Sequence, residues 1–561
     1  MARVGLASRV AAGMVVVGLI VTAVIVAAMA QRTPASPTEA LGAPRMIEET
    51  SGSGVTHSYE GDWRYFEGGG VAAFDCDDDG MLDLHLAGGE APAAFYRNVG
   101  TVAGELRFEA VDMPELAMTG VTGSYPLDVD SDGIVDLVVL RIGENVILRG
   151  GGDCTFARAN EMWGIDGGSA WTVGFSATWE QGNEFPTLAF GNYLKSTDPA
   201  ELQDGTDLCA PNVVLRPEGT TYGPPIALDP GLCSLSLLFS DWGRDGVADL
   251  RVTNDRQYYR TGEEQLWAIS PGSDPVAYSR DDGWNHLQVW GMGIASHDIT
   301  GDGYPEVYLT SQGDNKLQSL TDGPERPSYS DIAIRRGVTA HAPYLGDDPR
   351  PSTAWHAQFE DVNNDGFVDL FVAKGNVDAM PTFTDEDPNN LFLGQPDGTF
   401  VEGAIDAGIV HFDKTRGAAL VDLNRDGLLD LVEVNRTAPV RLWRNLGAGS
   451  GTDPVAMGNW LAVRIDGEGP NPRGVGAWIG ITVGDHIMVR EVTVGGGHAS
   501  GQWDWIHFGL GPASSADITV TWPDGTTGSW DSVTANRYVT LTPGNATADE
   551  EADPTAMGDP E

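Results

Sequence analysis

One pattern of apolar and polar positions recurs seven times along the chain, at intervals of 51 to 63 residues. Each copy has a lead-in of small and apolar residues, an acidic loop, and a second apolar run. In the clearest copy Gly70-Val71-Ala72-Ala73-Phe74 leads into Asp75-Cys76-Asp77-Asp78-Asp79-Gly80, and the chain leaves through Met81-Leu82-Asp83-Leu84. Further copies start at Asp128, Asp241, Asp298, Asp361 and Asp422, and a worn one sits near Trp179. The run-outs, such as Asp136-Leu137-Val138-Val139-Leu140, read as strands. A repeat of this length suits one propeller blade, so seven repeats over 46–447 predict a seven-bladed β-propeller. Small lead-in residues, as in Gly291-Met292-Gly293-Ile294-Ala295, suit innermost strands crowded around an axis.

The pattern changes at Gly447-Ala448-Gly449-Ser450-Gly451, where 448–458 reads as a flexible linker. Residues 459–544 show short alternating strands broken by Gly and Pro-Asp-Gly turns, with no acidic loop. They predict a separate, small β-sandwich-like domain, so the fold class is all-β throughout. Residues 545–561 are acidic and aperiodic, and are expected to be disordered. At the other end Arg3 and Arg9 precede an uncharged apolar run over 10–30 that closes on Ala28-Met29-Ala30. It serves as a cleaved signal peptide or as a single-pass anchor, being long enough for either. The polar linker 31–45 and everything after it is then exported.

The acidic loops carry the candidate chemistry. A hard cation such as calcium takes six to eight oxygens, and a tight loop supplies them from positions 1, 3, 5 and 9 plus a backbone carbonyl at 7. The first loop offers Asp75, Asp77, Asp79 and Asp83, and the second Asp128, Asp130, Asp132 and Asp136. The fourth offers Asp241, Asp245 and Asp249, with Gly243 at position 3. The fifth offers Asp298, Thr300, Asp302 and Glu306. The sixth offers Asp361, Asn363, Asp365 and Asp369, and the seventh Asp422, Asn424, Asp426 and Asp430. All six keep glycine at position 6, where the turn is sharpest. An EF-hand would need Glu at position 12 and flanking helices. Five copies have Leu or Val there and strands follow, which excludes it. Ligand charge ranks the first, second, sixth and seventh loops above the fourth and fifth, and the worn third copy receives no metal. About four to six structural calcium ions are expected. Asx-turns that cap themselves without metal are the plainer alternative.

Bulk numbers narrow the partners. With 81 acidic against 33 basic residues the net charge is −48, which excludes nucleic acid and argues against anionic lipid. Membrane contact is then confined to the N-terminal segment. Four cysteines in an exported chain are expected to pair, Cys209 with Cys233 first because they bracket a Pro-rich stretch, and Cys76 with Cys154 by elimination. No nucleophile-elbow, zinc-protease or phosphate-loop motif is present. His286, His297, His341, His356 and His411 fall in or near lead-ins of late repeats, where some are expected to line a central funnel. Asn435-Arg436-Thr437 and Asn545-Ala546-Thr547 match the N-glycosylation pattern.

Two resemblances follow from these residues. The repeats resemble the FG-GAP/VCBS calcium-binding propellers of integrin α-chain heads. The C-terminal segment is similar to the UnbV/ASPIC domain, through Asn459-Trp460-Leu461-Ala462-Val463-Arg464, Arg473-Gly474-Val475-Gly476-Ala477, Gly495-Gly496-Gly497, His507-Phe508-Gly509-Leu510-Gly511 and Trp522-Pro523-Asp524-Gly525. Their order is that of the cartilage acidic protein-like family. The resemblance implies an extracellular, calcium-binding, adhesion-like protein without an agreed catalytic site. The expected ligand is an extracellular glycan, matrix polymer or protein. The competing expectations are an exported polysaccharide lyase or hydrolase working in the funnel, and a scaffold for a neighbouring enzyme.

Overall fold

The computed structural model describes residues 36–196, 208–255, 263–503, 505–545 and 547–552. The signal-or-anchor segment 1–30 lies outside them. No helix among the described residues is long and apolar enough to cross a membrane.

The chain is all-β and of propeller type. Successive four-stranded antiparallel units begin at Val71, Val121, Thr172, Ser234, Gly291, Ala354 and Lys414, the third and fourth joined into one nine-stranded sheet by Val494–Gly495 and the first extended by a fifth strand, Gly501–Trp503. In each, the lead-in is the innermost strand, a loop that is acidic in all but the third turns the chain, and the run-out is the second strand, as with Val71–Phe74 paired to Asp83–Leu86. Both of these strands are buried along their length in the first sheet, because neighbouring sheets cover their two faces. That is why they read as continuous apolar runs rather than as alternation. Each innermost strand lies beside that of the next sheet, and the seventh returns to the first. Met46–Glu48 closes the ring, pairing antiparallel with Arg441–Asn445 as the outer strand of the seventh sheet.

Residues 459–552 form two four-stranded sheets. Asn459–Ile465 pairs with Ile506–Gly511 and Arg537–Leu541, and Trp478–Val483 pairs with His486–Glu491 and Ser515–Thr521. Leu461, Val463, Ile479, Ile481, Phe508, Ile518 and Val539 fill the space between them.

This second unit is not separate, contrary to the sequence-based expectation. Between its strands, residues 494–503 leave the sandwich and enter the ring. Val494–Gly495 bridges the innermost strands of the third and fourth sheets, and Gly501–Trp503 runs parallel to Val71–Phe74. The small lead-in residues make room for it. A Cβ on Gly70 would sit 1.7 Å from the Ala499 carbonyl oxygen, and one on Gly123 would sit 2.1 Å from the same atom.

Three boundary expectations are also corrected. The stretch 448–458 is a folded loop, tied by the Ala448 N–H to the Val455 carbonyl (2.9 Å) and the Val455 N–H to Leu446 (3.0 Å). In the linker before the ring, the Leu41 N–H donates to Asp365 (2.7 Å). Within the tail, Asp549–Ala552 adds a strand to Arg537–Leu541, and Arg537 pairs with Glu550 at 3.2 Å. In each case hydrogen bonds or strand pairing order a segment whose composition alone suggests none. Cys76 is bonded to Cys154 and Cys209 to Cys233. The first bond ties the first acidic loop to the second sheet.

Candidate metal loops and the domain interface

The six intact loops share one scaffold. The position 1 carboxylate accepts the N–H groups of positions 5 and 6: Asp75 from Asp79 (3.2 Å) and Gly80 (2.7 Å), and Asp422 from Asp426 (3.2 Å) and Gly427 (2.8 Å). Asp128, Asp241, Asp298 and Asp361 repeat this. The position 5 carboxylate accepts the N–H of position 7, as Asp132 does from Ile134 (2.9 Å). The position 6 glycine has φ of 79° to 89° in every copy, a conformation a β-carbon resists. Position 4 is left-handed as well, at φ 56° to 70° through Asp78, Ser131, Arg244, Gly301, Asn364 and Arg425. Sequence spacing gives no sign of that.

In three loops the scaffold leaves a position 3 oxygen free, whereas Asn363 Oδ1 of the sixth accepts the Asp365 N–H (3.1 Å). Asp77 Oδ1, Asp130 Oδ1 and Asn424 Oδ1 are buried and have no hydrogen-bond partner among the described residues. In the first loop carboxylate oxygens of Asp75, Asp77 and Asp79 converge within 4.8 Å, and in the second those of Asp128, Asp130 and Asp136 do so. Burial raises these acids: Asp83 to about 7, Asp128 to about 6 and Asp426 to about 8. Hard oxygen donors, orphaned and desolvated, suit a calcium ion. Two arginines reach the same carboxylates from the third strand of their sheets, Arg97 to Asp77 and Arg149 to Asp130.

Position 9 joins the loop to its sheet. Asp83 accepts the N–H groups of Cys76 (3.1 Å) and Asn98 (2.8 Å), and Asp430 those of Leu423 (3.1 Å) and Asn445 (2.8 Å). The side chains of those asparagines had no assigned role in the sequence. Asn98 Nδ2 donates to the Leu82 and Leu423 carbonyls, and Asn445 Nδ2 to Leu429 and Val362, so each clamps its own loop to that of the preceding sheet around the ring. Their signal is the recurring Arg-Asn at the end of the third strand.

The weaker loops differ. In the fourth, Asp249 accepts from Trp242 Nε1, Tyr278 Oη and the Ile269 N–H, which occupies much of its accepting capacity. In the fifth, Glu306 bends back to the N–H groups of Ile299 and Thr300. In the worn third copy Glu180 is paired with Arg216 at 2.7 Å.

The sandwich docks on the acidic-loop side of the ring. Tyr538 Oη donates to Asp422 Oδ2 (2.5 Å), and Trp460 packs against Gly427, where a Cβ would lie 2.0 Å from its ring. His507 Nε2 meets Asn364 Oδ1 at 2.6 Å, and His486 Nε2 meets the Gly366 carbonyl at 2.8 Å. Glu491 accepts from Ser240 Oγ (2.6 Å) and the Asp241 N–H (2.7 Å), while the Arg244 guanidinium lies 4.4 Å over Trp478. Arg490 bonds to Glu360 at 2.7 Å. The second, fourth, sixth and seventh loops thus each touch the sandwich, the second through the Asn471 N–H and Ser131 Oγ (3.3 Å).

Along the axis, the inserted segment brings a histidine the sequence reading did not single out. His498 Nε2 accepts the Gly68 N–H (3.1 Å) and its Nδ1 lies 3.2 Å from the Met292 carbonyl. Burial pushes His498 down to about 3 and His356 to about 4, so both are neutral. The Arg416 guanidinium lies 4.0 Å over Trp355 and donates to the carbonyls of Phe66, Asn376 and Val377. Of the histidines expected at a funnel, His286 and His341 instead pair with Glu263 and Asp314 away from the axis, and His411 with Glu433. Asn435 is buried, bonded to Thr415 and Pro439, so the folded chain does not offer it for glycosylation.

The family model for ASPIC and UnbV matches residues 467–548, and that for the FG-GAP-like repeat matches 361–433. The chain is 30% identical over 169 residues to cartilage acidic protein 1 of Mus musculus, covering 28% of this chain and 23% of that protein. It is 26% identical over 230 residues to the same protein of Xenopus tropicalis, covering 31% and 35%. The matched segments therefore span well under half of those relatives. Among solved structures, BBS1N in complex with ARL6DN covers 74% of this chain and 100% of its own, at TM-score 0.41 and 10% identity. An Agrocybe aegerita lectin that recognises non-reducing terminal N-acetylglucosamine covers 66% and 93%, at TM-score 0.37 and 15% identity. The chain thus carries an FG-GAP-like repeat followed by an ASPIC and UnbV segment, and over part of its length it is similar to the cartilage acidic proteins.

Proposed function

We propose that this chain is an exported, seven-bladed β-propeller that holds calcium in its blade loops and acts as a binding module for an extracellular glycan, matrix polymer or protein. The observation that carries the calcium reading is the set of buried, unpartnered position 3 oxygens, Asp77 Oδ1, Asp130 Oδ1 and Asn424 Oδ1. A cation satisfies them, and would be held by positions 1, 3, 5 and 9 of the first, second, sixth and seventh loops most strongly. Its contribution is charge compensation that pins each loop. The fourth loop ranks lowest, since Gly243 offers no side-chain oxygen and Asp249 is already taken up by three donors. The two disulfides support an oxidising compartment.

Binding is favoured over catalysis by the axis. A funnel enzyme needs an open channel with convergent acid and base groups. Here residues 494–503 lie along it, and its histidines are buried and neutral.

The test is calorimetric calcium titration of the chelator-stripped chain from Gln31, with melting curves in calcium and in EDTA. About four to six binding events and a raised melting temperature are expected. No binding heat and an unchanged melt would sink the metal reading. Release of reducing ends from a polysaccharide panel would favour the enzyme instead.

A further inference from the structure

A cavity of about 600 Å³ lies between the ring and the sandwich, beside the inserted segment. Three arginines line it, of which Arg490 is taken up by Glu360. Arg464 Nε and Arg473 Nη1 are buried without a hydrogen-bond partner among the described residues. Their nearest carboxylates are at ion-pair range only, Asp78 3.9 Å from Arg464 and Asp466 3.5 Å from Arg473. Desolvation, and then the neighbouring Arg464, push Arg473 below the ordinary arginine value. Two like charges held together this way, in a chain of net charge −48, are a local exception that an anion would relieve.

The other walls carry the carboxylates of Asp75, Asp78 and Glu491 as well as aromatic and amide side chains. Trp505 lies 4.2 Å under the Arg464 guanidinium, and Trp503 and Gln502 line the same space. His356, a buried residue, also lines it. The His356 Nδ1 accepts the His498 N–H (3.1 Å), so its proton sits on Nε2, and that buried N–H has no partner among the described residues. Forked cation donors, a flat apolar indole and spare neutral donors are what a charged sugar ring presents complements to: carboxylate, C–H face and hydroxyls. The volume is that of small-ligand sites.

We propose that this cavity binds one acidic sugar residue, a pyranose carrying a carboxylate, with Arg464 and Arg473 on the carboxylate and His356 Nε2–H on a hydroxyl. The inference rests on the binding-module reading only in taking a glycan as ligand. It makes the sandwich and the ring jointly the binding site, since neither holds all of these groups.

The experiment is titration of the calcium-loaded chain with glucuronate, glucose and inorganic sulfate, read by calorimetry and by saturation-transfer NMR. Glucuronate is expected to saturate one site, with glucose about tenfold weaker or worse. Arg473→Gln and Arg464→Gln are each expected to weaken glucuronate about tenfold while leaving calcium uptake and melting temperature unchanged. Arg350→Gln, which alters an ion pair with Asp348 away from the cavity, is expected to change nothing. Equal affinity for sulfate and glucuronate would overturn the sugar assignment. Absence of glucuronate binding by the folded, calcium-loaded chain would overturn the site. Retained capture of a matrix polymer or glycan by Arg473→Gln protein would also remove this site, yet leave the binding-module reading standing.

Discussion

Asp130 shows what a single residue contributes. One of its oxygens accepts from Arg149 at 2.6 Å and the other is buried with no partner. Asp130→Ala removes a candidate ligand oxygen and leaves Arg149 with Asp132 as its remaining partner. With calcium at about a hundredfold its dissociation constant, losing one such site is worth ~2.7 kcal/mol. The variant should therefore melt lower than the parent in calcium, with one fewer binding event by calorimetry, and differ little in EDTA. Equal loss in both media would assign Asp130 to the apo scaffold alone. The same carboxylates give a pH dependence. Burial lifts Asp83 to about 7, Asp128 to about 6 and Asp426 to about 8, against an ordinary 3.8. Raised folded values mean stability that is present below about pH 4 and lost as pH climbs through 6 to 8. Calcium needs the deprotonated forms, so its stabilisation runs the other way. Between pH 5 and pH 8 the metal-free melting temperature should fall and the gap opened by calcium should widen. A gap independent of pH would separate these acids from the metal.

Elements were legible in the sequence wherever the determinant is local. The D-x-D-x-D-G loop, its glycine and the apolar strand after it are read from spacing, and the shared scaffold of Asp75 through Asp422 follows that spacing. What could not be read are partners far along the chain. Residues 494–503 read Val-Gly-Gly-Gly-His-Ala-Ser-Gly-Gln-Trp, with no periodicity of either kind. Their strand character comes from edges offered some 300 residues earlier, as where Ser176 Oγ meets the Val494 carbonyl across 318 positions. Gly70 and Gly123 were legible as crowding at an axis, but not as space for an inserted chain. Gly70→Ala, with 1.7 Å between the new Cβ and a carbonyl oxygen, should destabilise by ~1–3 kcal/mol and loosen the Trp503 environment, seen as a fluorescence shift. A variant as stable as the parent would mean the inserted segment yields freely. The Asn98 clamp was missed because asparagine at a strand end ordinarily signals a turn. Asn98→Ala leaves the buried Leu82 and Leu423 carbonyls short of a donor, and should cost ~1–3 kcal/mol by denaturant unfolding, in EDTA as well as in calcium.

At the scale of the molecule the acidic loops and the domain contact are one surface. Tyr538 donates to Asp422, position 1 of the seventh loop; His507 and His486 hold Asn364 and Gly366 of the sixth; Glu491 holds Asp241 of the fourth. Each bond requires its loop to keep its turn, and a cation bound there, as proposed, would stabilise that turn. Calcium and sandwich docking would then be linked reciprocally: whatever favours the loaded loop favours the docked domain by the same free energy. In calcium the chain should unfold in a single transition, and the folded loop over 448–458 should resist protease. In EDTA the sandwich should separate at lower temperature than the ring, with cleavage within that loop. Tyr538→Phe keeps the ring in its place over Arg425 (4.3 Å from the guanidinium) and removes only the hydroxyl. It should weaken calcium at the seventh loop and hasten cleavage in the 448–458 loop together. Faster cleavage with unchanged calcium affinity would show that docking does not depend on the ion. Unchanged cleavage in EDTA would show that the inserted segment, threaded through the ring's centre, holds the two units together by itself.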